Sequence, residues 1–277
     1  MKLFYYIVSK LPMSFLYLLS DIFYVVISRF YRKKVVETNI RNSFPKLSER
    51  ELIQIKNRFY NNFCDIFFET IKSYTITKKH LFNSVKFKNI DIINHHVLNK
   101  ERVVVLTSHQ CNWEWLAISA EVNLKSTLHF IYKKLKHRSF DEIMFKSRSK
   151  FGSVLIESKD AIFNLKDKLD EVKVLGIVAD QSPNKKNRIE WAKMLNQDTA
   201  FFDSISYIPI ITNSIVYYAS MVRESRGKYV VEFIKISSPP YTNKKSIIKE
   251  YAAQLEDQIN QNPGDWLWSH KRWKLTK

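Results

Sequence analysis

The residues best placed for chemistry are a histidine and a carboxylate five positions apart, His109 and Glu114. His109 follows the apolar run Arg102–Thr107, which is typical of a buried strand, and ligands of open α/β sheets bind at the carboxyl ends of strands. Asn112 is a good helix N-cap, which would place Glu114 in the first turn of the next helix. Histidine is the usual general base near neutral pH, and a carboxylate beside it fixes its tautomer. The spacing therefore predicts a base that activates a substrate hydroxyl, although a structural pair is the commoner case.

Composition excludes several other kinds of site. The chain has four glycines, all far apart, so it cannot form a dinucleotide-binding loop, a Walker loop or the nucleophile elbow of a serine hydrolase. The HExxH spacing of a zinc site is absent. Cys64 and Cys111 form neither a CxxC pair nor a disulfide framework. We therefore expect no metal and no redox cofactor.

The net charge calls for anionic partners. The chain carries 45 Lys and Arg residues against 27 Asp and Glu residues, a formal charge of +18. Such an excess attracts nucleic acid, anionic membranes or acidic proteins. A basic nucleic-acid-binding protein is a remote alternative, because no RNP, zinc-finger or convincing helix-turn-helix signature is present and the chain begins with an apolar segment. We expect anionic membrane lipids, and no nucleic acid, as partners.

The apolar segment at residues 1–31 is predicted to associate with a membrane. From Phe15 to Ile27 only Ser20 and Asp21 are polar. A spanning helix needs about 20 mostly apolar residues, and the centre of a membrane tolerates a carboxylate poorly. The segment is therefore either a marginal span or a helix in the interface, with an ordinary buried first helix as the third possibility. Basic residues follow directly, which favours the cytoplasmic side of the membrane for the downstream chain.

The rest of the chain divides into two parts. Residues 32–76 are predicted to be helical, because Ser48 and Glu51 have capping-box spacing and apolar residues then recur every three or four positions to about Lys72. Residues 77–277 are predicted to form an α/β domain with a sheet covered on both faces. The predicted strands are Arg102–Thr107, Thr127–Tyr132, Val172–Ala179, Val216–Val222 and Tyr229–Ile236, the last two joined by a turn at Gly227. The predicted helices begin after Asn112, run over Ser139–Lys150 and Ala161–Leu169, and include Ile247–Ile259, whereas Ser182–Asn187 is predicted to be a mobile loop.

Five ordered blocks carry a resemblance to a known family. They are Tyr31-Arg32 with Asn39 and Ser43-Phe44-Pro45; His109-Gln110-Cys111-Asn112-Trp113-Glu114; Tyr132-Lys133-Lys134-Leu135 through Asp141 and Arg148 to Gly152; Ala179-Asp180-Gln181-Ser182-Pro183; and Pro263 to Lys274. In this order they resemble the bacterial lipid A late acyltransferases (lauroyl and myristoyl transferases) and their Bacteroidetes-type lysophospholipid acyltransferase relatives. The HxxxxE motif alone is shared with all glycerolipid acyltransferases. The resemblance spans nearly the whole chain and implies their fold, a mixed sheet flanked by helices.

The resemblance implies an enzyme that moves an acyl chain from a thioester to a lipid hydroxyl. The donor would be acyl carrier protein or acyl-CoA, with no other cofactor, and the acceptor a lipid A precursor at the cytoplasmic face of the bacterial inner membrane. His109 would be the general base and Glu114 would orient it. Arg148 would bind a phosphate or stabilise the transition state, and Asp180 would hydrogen-bond the acceptor or hold Arg148. The remaining substrate-binding candidates are Gln181, Tyr132, Asn112 and Trp113.

Two departures from the family pattern leave the acceptor open. Cys111 stands where the family has Gly, and Ser204, Ser206 and Pro209 stand where it usually has Gly, Glu and Ala. A lysophospholipid or another hydroxylated lipid is therefore the alternative acceptor. An inactive relative that serves as a membrane scaffold is a third possibility, which the intact His109 and Glu114 argue against. The tryptophans of the last block either contact the bilayer surface or pack inside the domain.

Overall fold

The computed structural model describes residues 2–159 and 161–277, with the backbone alone at 164, 166, 244 and 245. The helices of these residues are α1 (Lys2–Lys10), α2 (Met13–Phe30), α3 (Lys33–Ser43), α4 (Glu49–Ser73), α5 (Lys78–Ser84), α6 (Ile90–Leu98), α7 (Trp113–Asn123), α8 (Arg138–Arg148), α9 (Ala161–Asp167), α10 (Ser204–Ile211) and α11 (Lys244–Gln261). The strands are β1 (Val85–Phe87), β2 (Val103–Thr107), β3 (Leu128–Tyr132), β4 (Val154–Glu157), β5 (Val174–Val178), β6 (Ile189–Met194), β7 (Gln197–Phe202), β8 (Ile215–Ser225) and β9 (Lys228–Ser237). A 3₁₀ turn follows at Pro263–Asp265.

Seven strands form one mixed sheet in the order β1-β9-β8-β2-β5-β3-β4. The five strands from β8 to β4 run parallel, β9 is antiparallel to β8, and β1 is parallel to β9. β6 and β7 form a separate antiparallel hairpin. The prediction of an α/β fold with a mixed sheet flanked by helices is confirmed.

β2 lies near the middle of this sheet, with apolar cores on both of its faces. Successive side chains of a strand point to opposite faces. Val104 and Leu106 accordingly join a core with α3, α4, α10 and α11, whereas Val103 and Val105 join a second core with α5, α6 and α7. Both faces of β2 are therefore shielded from water, and its carboxyl end is the point where polar residues can emerge.

The local signals in the sequence give most of the predicted elements. Ser48 and Glu51 form the predicted capping box at the start of α4. The Asn112 side chain accepts a hydrogen bond from the Trp115 amide and caps α7. Gly227 has φ 72° in the turn between β8 and β9. All strands and helices predicted within residues 77–277 are present, with ends within three residues of the predicted ones.

The N-terminal segment forms two helices rather than one. Pro12 lies between α1 and α2, where its missing amide hydrogen cannot continue a helix. Among the described residues, α2 is the one helix long and apolar enough to cross a membrane. Only 11% of this helix is buried, so the alternative of an ordinary buried first helix is wrong.

Removal of residues 1–31 is expected to weaken membrane association without yielding a well-behaved soluble protein. Tyr17 donates a hydrogen bond to Glu69, and Ser20 donates one to Asp65, so the truncation strips partners from two fully buried carboxylates of α4. Loss of a partner from a buried polar group costs about 1–3 kcal/mol. The measurements are membrane fractionation, gel filtration and a thermal melt of the truncated chain. A monodisperse, fully active truncation would contradict this expectation.

Candidate active site

His109 and Asp180 meet at the carboxyl edge of the sheet. β2 and β5 are adjacent parallel strands, and each residue lies two positions beyond the end of its strand. The Nδ1 atom of His109 lies 2.6 Å from Oδ1 of Asp180, and the backbone amide of His109 donates to Oδ2 at 3.0 Å. The two contacts fix both the ring and the backbone of His109 against one carboxylate.

The Asp180 carboxylate determines which nitrogen of His109 can act as a base. Burial would raise the pKa of Asp180, but the charge of His109 and hydrogen bonds from His109 and Trp266 outweigh burial and lower it. An ionised carboxylate can only accept hydrogen bonds, so Nδ1 of His109 carries the proton. The lone pair of His109 therefore lies on Nε2, which is the nitrogen that can take a proton from another group.

Two of the predicted substrate-binding residues lie against the imidazole. The Nε2 atom of Gln181 is 3.2 Å from Nε2 of His109, where the amide donates to the lone pair. The Trp113 ring meets the imidazole edge-on, with 4.9 Å between ring centroids. Gln181 thus occupies the hydrogen-bonding position at Nε2 of His109.

Glu114 is held by Arg148 and not by His109. Arg148 donates from Nε to Oε2 of Glu114 at 2.8 Å and from Nη2 to Oε1 at 2.6 Å. Burial would raise the pKa of Glu114, but the charge and hydrogen bonds of Arg148, the charge of His109 and a hydrogen bond from Trp113 outweigh burial and lower it. Among the described residues no hydrogen bond joins Glu114 to His109 or Asp180 to Arg148, and Asp180 makes the contact with His109 that was expected of Glu114. A role of Glu114 in orienting the base stays a prediction. The neighbouring strand β5 brings Asp180 to Nδ1, while the first turn of α7 directs Glu114 towards α8.

The block from Tyr132 to Gly152 holds Arg148 in place. Tyr132 ends β3, and its ring packs against Phe145 of α8 with 6.1 Å between centroids. Asp141 accepts a hydrogen bond from the Leu135 amide at 2.8 Å, which ties the loop after β3 to α8. Burial and the charges of Asp141 and Glu157 raise the pKa of Tyr132, and the charge of Arg148 opposes that shift.

Asn112 has a positioning role, which corrects its prediction as a substrate contact. Its side chain is fully buried, donates to Oε2 of Glu69 at 2.7 Å and accepts from the Trp115 amide at 2.8 Å. Cys111 precedes it with φ 51°, a left-handed conformation that favours glycine. The glycine usual in the resembled family therefore has a backbone reason, and Cys111 adopts the same conformation with a buried side chain.

The C-terminal block closes over the His109 loop. The Leu267 amide donates to the His109 carbonyl at 3.1 Å, and the Cys111 amide donates to the Asp265 carbonyl at 3.0 Å. Trp266 donates from Nε1 to Oδ2 of Asp180 at 2.8 Å. Trp266 and Trp268 are 2% and 0% exposed, so these tryptophans pack inside the domain, and the alternative of bilayer contact is wrong for both.

His270 links this block to the loop after β5 and should make stability depend on pH. Its Nε2 accepts a hydrogen bond from the Ser182 amide at 3.0 Å. Burial lowers the pKa of His270 to about 4, although Asp180 opposes the shift. A histidine ordinarily titrates near about 6.5, so the unfolded chain takes up this proton first. The resulting stability is complete above about pH 6.5 and is lost as the pH falls towards 4.

His270→Gln is therefore expected to flatten the fall in melting temperature between about pH 6.5 and pH 4. Glutamine offers an acceptor to Ser182 but does not titrate. Thermal melts of both proteins across this range check the prediction, with His95→Gln at an exposed position of α6 as the control. Equal slopes for wild type and His270→Gln would show that His270 does not titrate in this way.

Two residues that hold the site in place, Glu69 and Trp266, were not identified from the sequence. Glu69 accepts hydrogen bonds from Tyr17, Asn112 and Tyr229 at 2.6–2.7 Å, and Trp266 holds Asp180. A signal for Glu69 existed, because it continues the apolar stripe of α4 at helical spacing. No comparable signal linked Trp266 to Asp180. Among the described residues, no three His, Cys, Asp or Glu side chains gather as metal ligands.

Comparison with known proteins identifies the family. The model of the family described as bacterial lipid A biosynthesis acyltransferase matches residues 2–275. No curated protein matches the chain. The family match covers essentially the whole chain, including all five sequence blocks and every residue of the site described above. The protein therefore belongs to the bacterial lipid A biosynthesis acyltransferase family and is an acyltransferase.

Proposed function

We propose that the protein transfers a fatty acyl chain from acyl carrier protein or acyl-CoA to a hydroxyl group of a lipid A precursor, with His109 as the general base. The observation that carries the proposal is the contact of 2.6 Å between His109 and Asp180. It leaves the Nε2 lone pair of His109 as the proton acceptor at the edge of the sheet where ligands of α/β folds bind. The reaction needs no nucleophile from the protein, because the acceptor hydroxyl itself attacks.

The proton and the acyl group follow a simple course. The acceptor hydroxyl displaces the Gln181 amide from Nε2 of His109 and gives its proton to this nitrogen as its oxygen attacks the thioester carbonyl. The Asp180 carboxylate stabilises the imidazolium that forms. The tetrahedral intermediate then expels the thiolate, which takes the proton back from His109. The products are an ester and a free thiol, and the base is regenerated.

Arg148 is proposed to serve both Glu114 and the acceptor. Two of its three guanidinium nitrogens bind Glu114, and Nη1 has no hydrogen-bond partner among the described residues. The side chain remains 20% exposed. A guanidinium suits the oxygens of a phosphate, so Nη1 is free for a phosphate of the acceptor lipid.

Arg148→Lys is expected to lower activity by about 10-fold or more on every acceptor, because one ammonium cannot keep both contacts with Glu114 and each charged hydrogen bond is worth about 1.5–3 kcal/mol. The loss should be larger on phosphorylated acceptors. Initial rates on phosphorylated and dephosphorylated forms of the same lipid test this. Equal losses on both forms would remove Arg148 from phosphate binding and leave only its contact with Glu114.

Two exposed basic loops support an acidic protein as the acyl donor. They follow β3 and β5, the strands that end at the same sheet edge as His109, and contain Lys133, Lys134, Lys136, Lys185 and Lys186. A cluster of this sign raises the rate of association with an acidic partner such as acyl carrier protein. A steep fall in kcat/KM with added salt is expected for that donor.

The alternative function given above differs from the proposed one only in the acceptor lipid. Pro209 lies inside α10, and Ser206 donates to the Asp203 carbonyl at 3.2 Å, so the substituted region is still a helix. A lysophospholipid is therefore the second candidate acceptor. In either case we propose the cytoplasmic face of the inner membrane as the location, because the basic residues after α2 favour it.

Mass spectrometry of lipids from cells with and without the gene tests the proposal. Lipid A species that lack one acyl chain in the deletion strain, restored by the wild-type chain but not by His109→Ala, are the expected result. Accumulated lysophospholipid would instead select the alternative acceptor. An unchanged lipid profile, with a protein released from the membrane fraction by nuclease or salt, would overturn both in favour of nucleic-acid binding.

A further inference from the structure

The outward face of the N-terminal helices is unusually apolar for a protein surface. Of the 22 large apolar side chains that are exposed among the residues whose burial is described, ten lie within residues 3–30. On α2 the exposed fractions are 54% for Leu18, 60% for Ile22 and 52% for Val26. An exposed apolar surface of this kind marks a site of interaction with a protein or a membrane.

The inward face of α2 is fastened to the catalytic domain by polar contacts. Leu16 is fully buried, and Tyr17 and Ser20 donate to carboxylates of α4 at 2.7 Å. Asp21 accepts two hydrogen bonds from Arg226 at 2.7 and 3.1 Å. Arg226 belongs to the turn between β8 and β9, so it joins α2 to the sheet.

Arg226 also holds the segment of α2 before Asp21. Its guanidinium carbon lies 4.4 Å from the centre of the Tyr17 ring, and Nη2 donates to the Tyr17 carbonyl at 3.1 Å. Its Nε lies 3.0 Å from both carboxylate oxygens of Asp65. The charge of Asp21, which would oppose burial in a membrane, is therefore neutralised by the protein itself.

These contacts are incompatible with α2 as a membrane span. A span would have to leave the surface of α4, so Asp65 would lose Ser20 and Glu69 would lose Tyr17, although both carboxylates are 0% exposed. It would also carry Asp21 into the hydrocarbon without Arg226, which costs at least about 2.5–3.5 kcal/mol. A helix that lies in the interface keeps every one of these contacts and still presents its apolar face to lipid.

We propose that α1 and α2 lie in the plane of the membrane and hold the protein on one side of it, with their exposed apolar side chains in the boundary between headgroups and acyl chains. The occupant of this surface is an anionic bilayer, because exposed basic residues lie at both ends of α2. They are Lys10, Arg29, Arg32, Lys33 and Lys34. The inference rests on the membrane location in the proposed function but requires no acyl-transfer activity.

This arrangement places the reaction centre beside the lipid surface. Tyr5 of α1 packs edge-on against Phe140 of α8, with 6.2 Å between ring centroids, and donates to the Thr70 carbonyl at 3.2 Å. The same helix α8 carries Arg148. A lipid headgroup at the plane of α1 therefore meets the helix that holds the proposed phosphate-binding group.

Cysteine labelling of the full chain tests the in-plane arrangement directly. Lys10→Cys and Lys33→Cys place single thiols at the two ends of α2, and the native Cys64 and Cys111 are 0% and 1% exposed. A maleimide that cannot cross membranes should label both positions in inverted vesicles and neither in intact spheroplasts. Labelling of one end from each side would show a span and overturn the proposal. Labelling of both ends only from outside would keep the helix in plane and overturn the cytoplasmic location.

Vesicle flotation tests the occupant. Ile22→Glu should lower partitioning of the purified chain onto phosphatidylethanolamine–phosphatidylglycerol vesicles by about 10-fold, the loss expected when one large apolar side chain leaves lipid. Leu98→Glu is the matched control, because Leu98 is 72% exposed but precedes β2 at the opposite edge of the sheet. It should bind vesicles as wild type does. Unchanged vesicle binding by Ile22→Glu, with loss of a dimer in gel filtration, would show a self-association face and overturn the proposal.

Discussion

Replacement of His109 by alanine is expected to lower kcat by about 10²- to 10⁴-fold, the usual contribution of a general base. The acceptor hydroxyl is a weak nucleophile, and the Nε2 atom of His109 is the proposed acceptor of its proton. Binding of the acyl donor should persist, because the substitution removes the base without altering the basic loops that follow β3 and β5. Initial rates and donor affinity of the purified full chain check both expectations.

The control for this experiment is a histidine away from the site. His95 is exposed on α6, which precedes β2 at the opposite edge of the sheet, so His95→Ala should keep wild-type activity. Thermal melts establish that both variants fold. If a well-folded His109→Ala protein retains more than about a tenth of wild-type turnover, the loss falls below the general-base range. The mechanism would then be wrong, although the family assignment would stand.

Asp180→Asn replaces the carboxylate by an amide of nearly the same size. It is expected to lower kcat by about 10²- to 10⁴-fold, as loss of the orienting carboxylate does in the serine protease triad. An asparagine amide can donate to Nδ1 of His109 and thereby stabilise the tautomer with its proton on Nε2. That tautomer cannot accept a proton from the acceptor. The variant also loses the charge that stabilises the imidazolium. Steady-state rates, with melts to confirm folding, provide the measurement.

Glu114→Gln is the informative comparison for Asp180→Asn. It disturbs the pair with Arg148 but leaves the contact of 2.6 Å between His109 and Asp180. We therefore expect its loss to resemble that of Arg148→Lys and to depend on the acceptor. Full activity of Asp180→Asn together with inactivity of Glu114→Gln would show that Glu114, and not Asp180, orients the base during turnover.

The sequence predicted those parts of the fold that depend on neighbouring residues. Capping at Ser48 and Asn112, the apolar run of β2 and the turn at Gly227 are local signals, and the structure confirms them. The hairpin of β6 and β7 and the short helices α5 and α6 were not predicted. Their few residues give too little periodicity to separate a short element from a loop.

The partners in the site could not be predicted in the same way. His109 and Glu114 are close in sequence, and the spacing suggested a contact between them, but Asp180 comes from a neighbouring strand 71 positions later. That pairing depends on the order of the strands in the sheet, which cannot be predicted from the apolar pattern of each strand alone. The family resemblance assigned Asp180 to the site, but its contact with His109 follows from the pairing of β2 with β5 in the sheet.

A double-mutant cycle on His109 and Asp180 tests the central claim most directly. The measurement is kcat/KM for wild type, His109→Ala, Asp180→Asn and the double variant, with the acceptor identified from the lipid profile. Because Asp180 acts through the imidazole, the double variant should be little worse than His109→Ala alone. If the fold-loss in kcat/KM of the double variant equals the product of the two single losses, the two residues act independently, which would contradict the account.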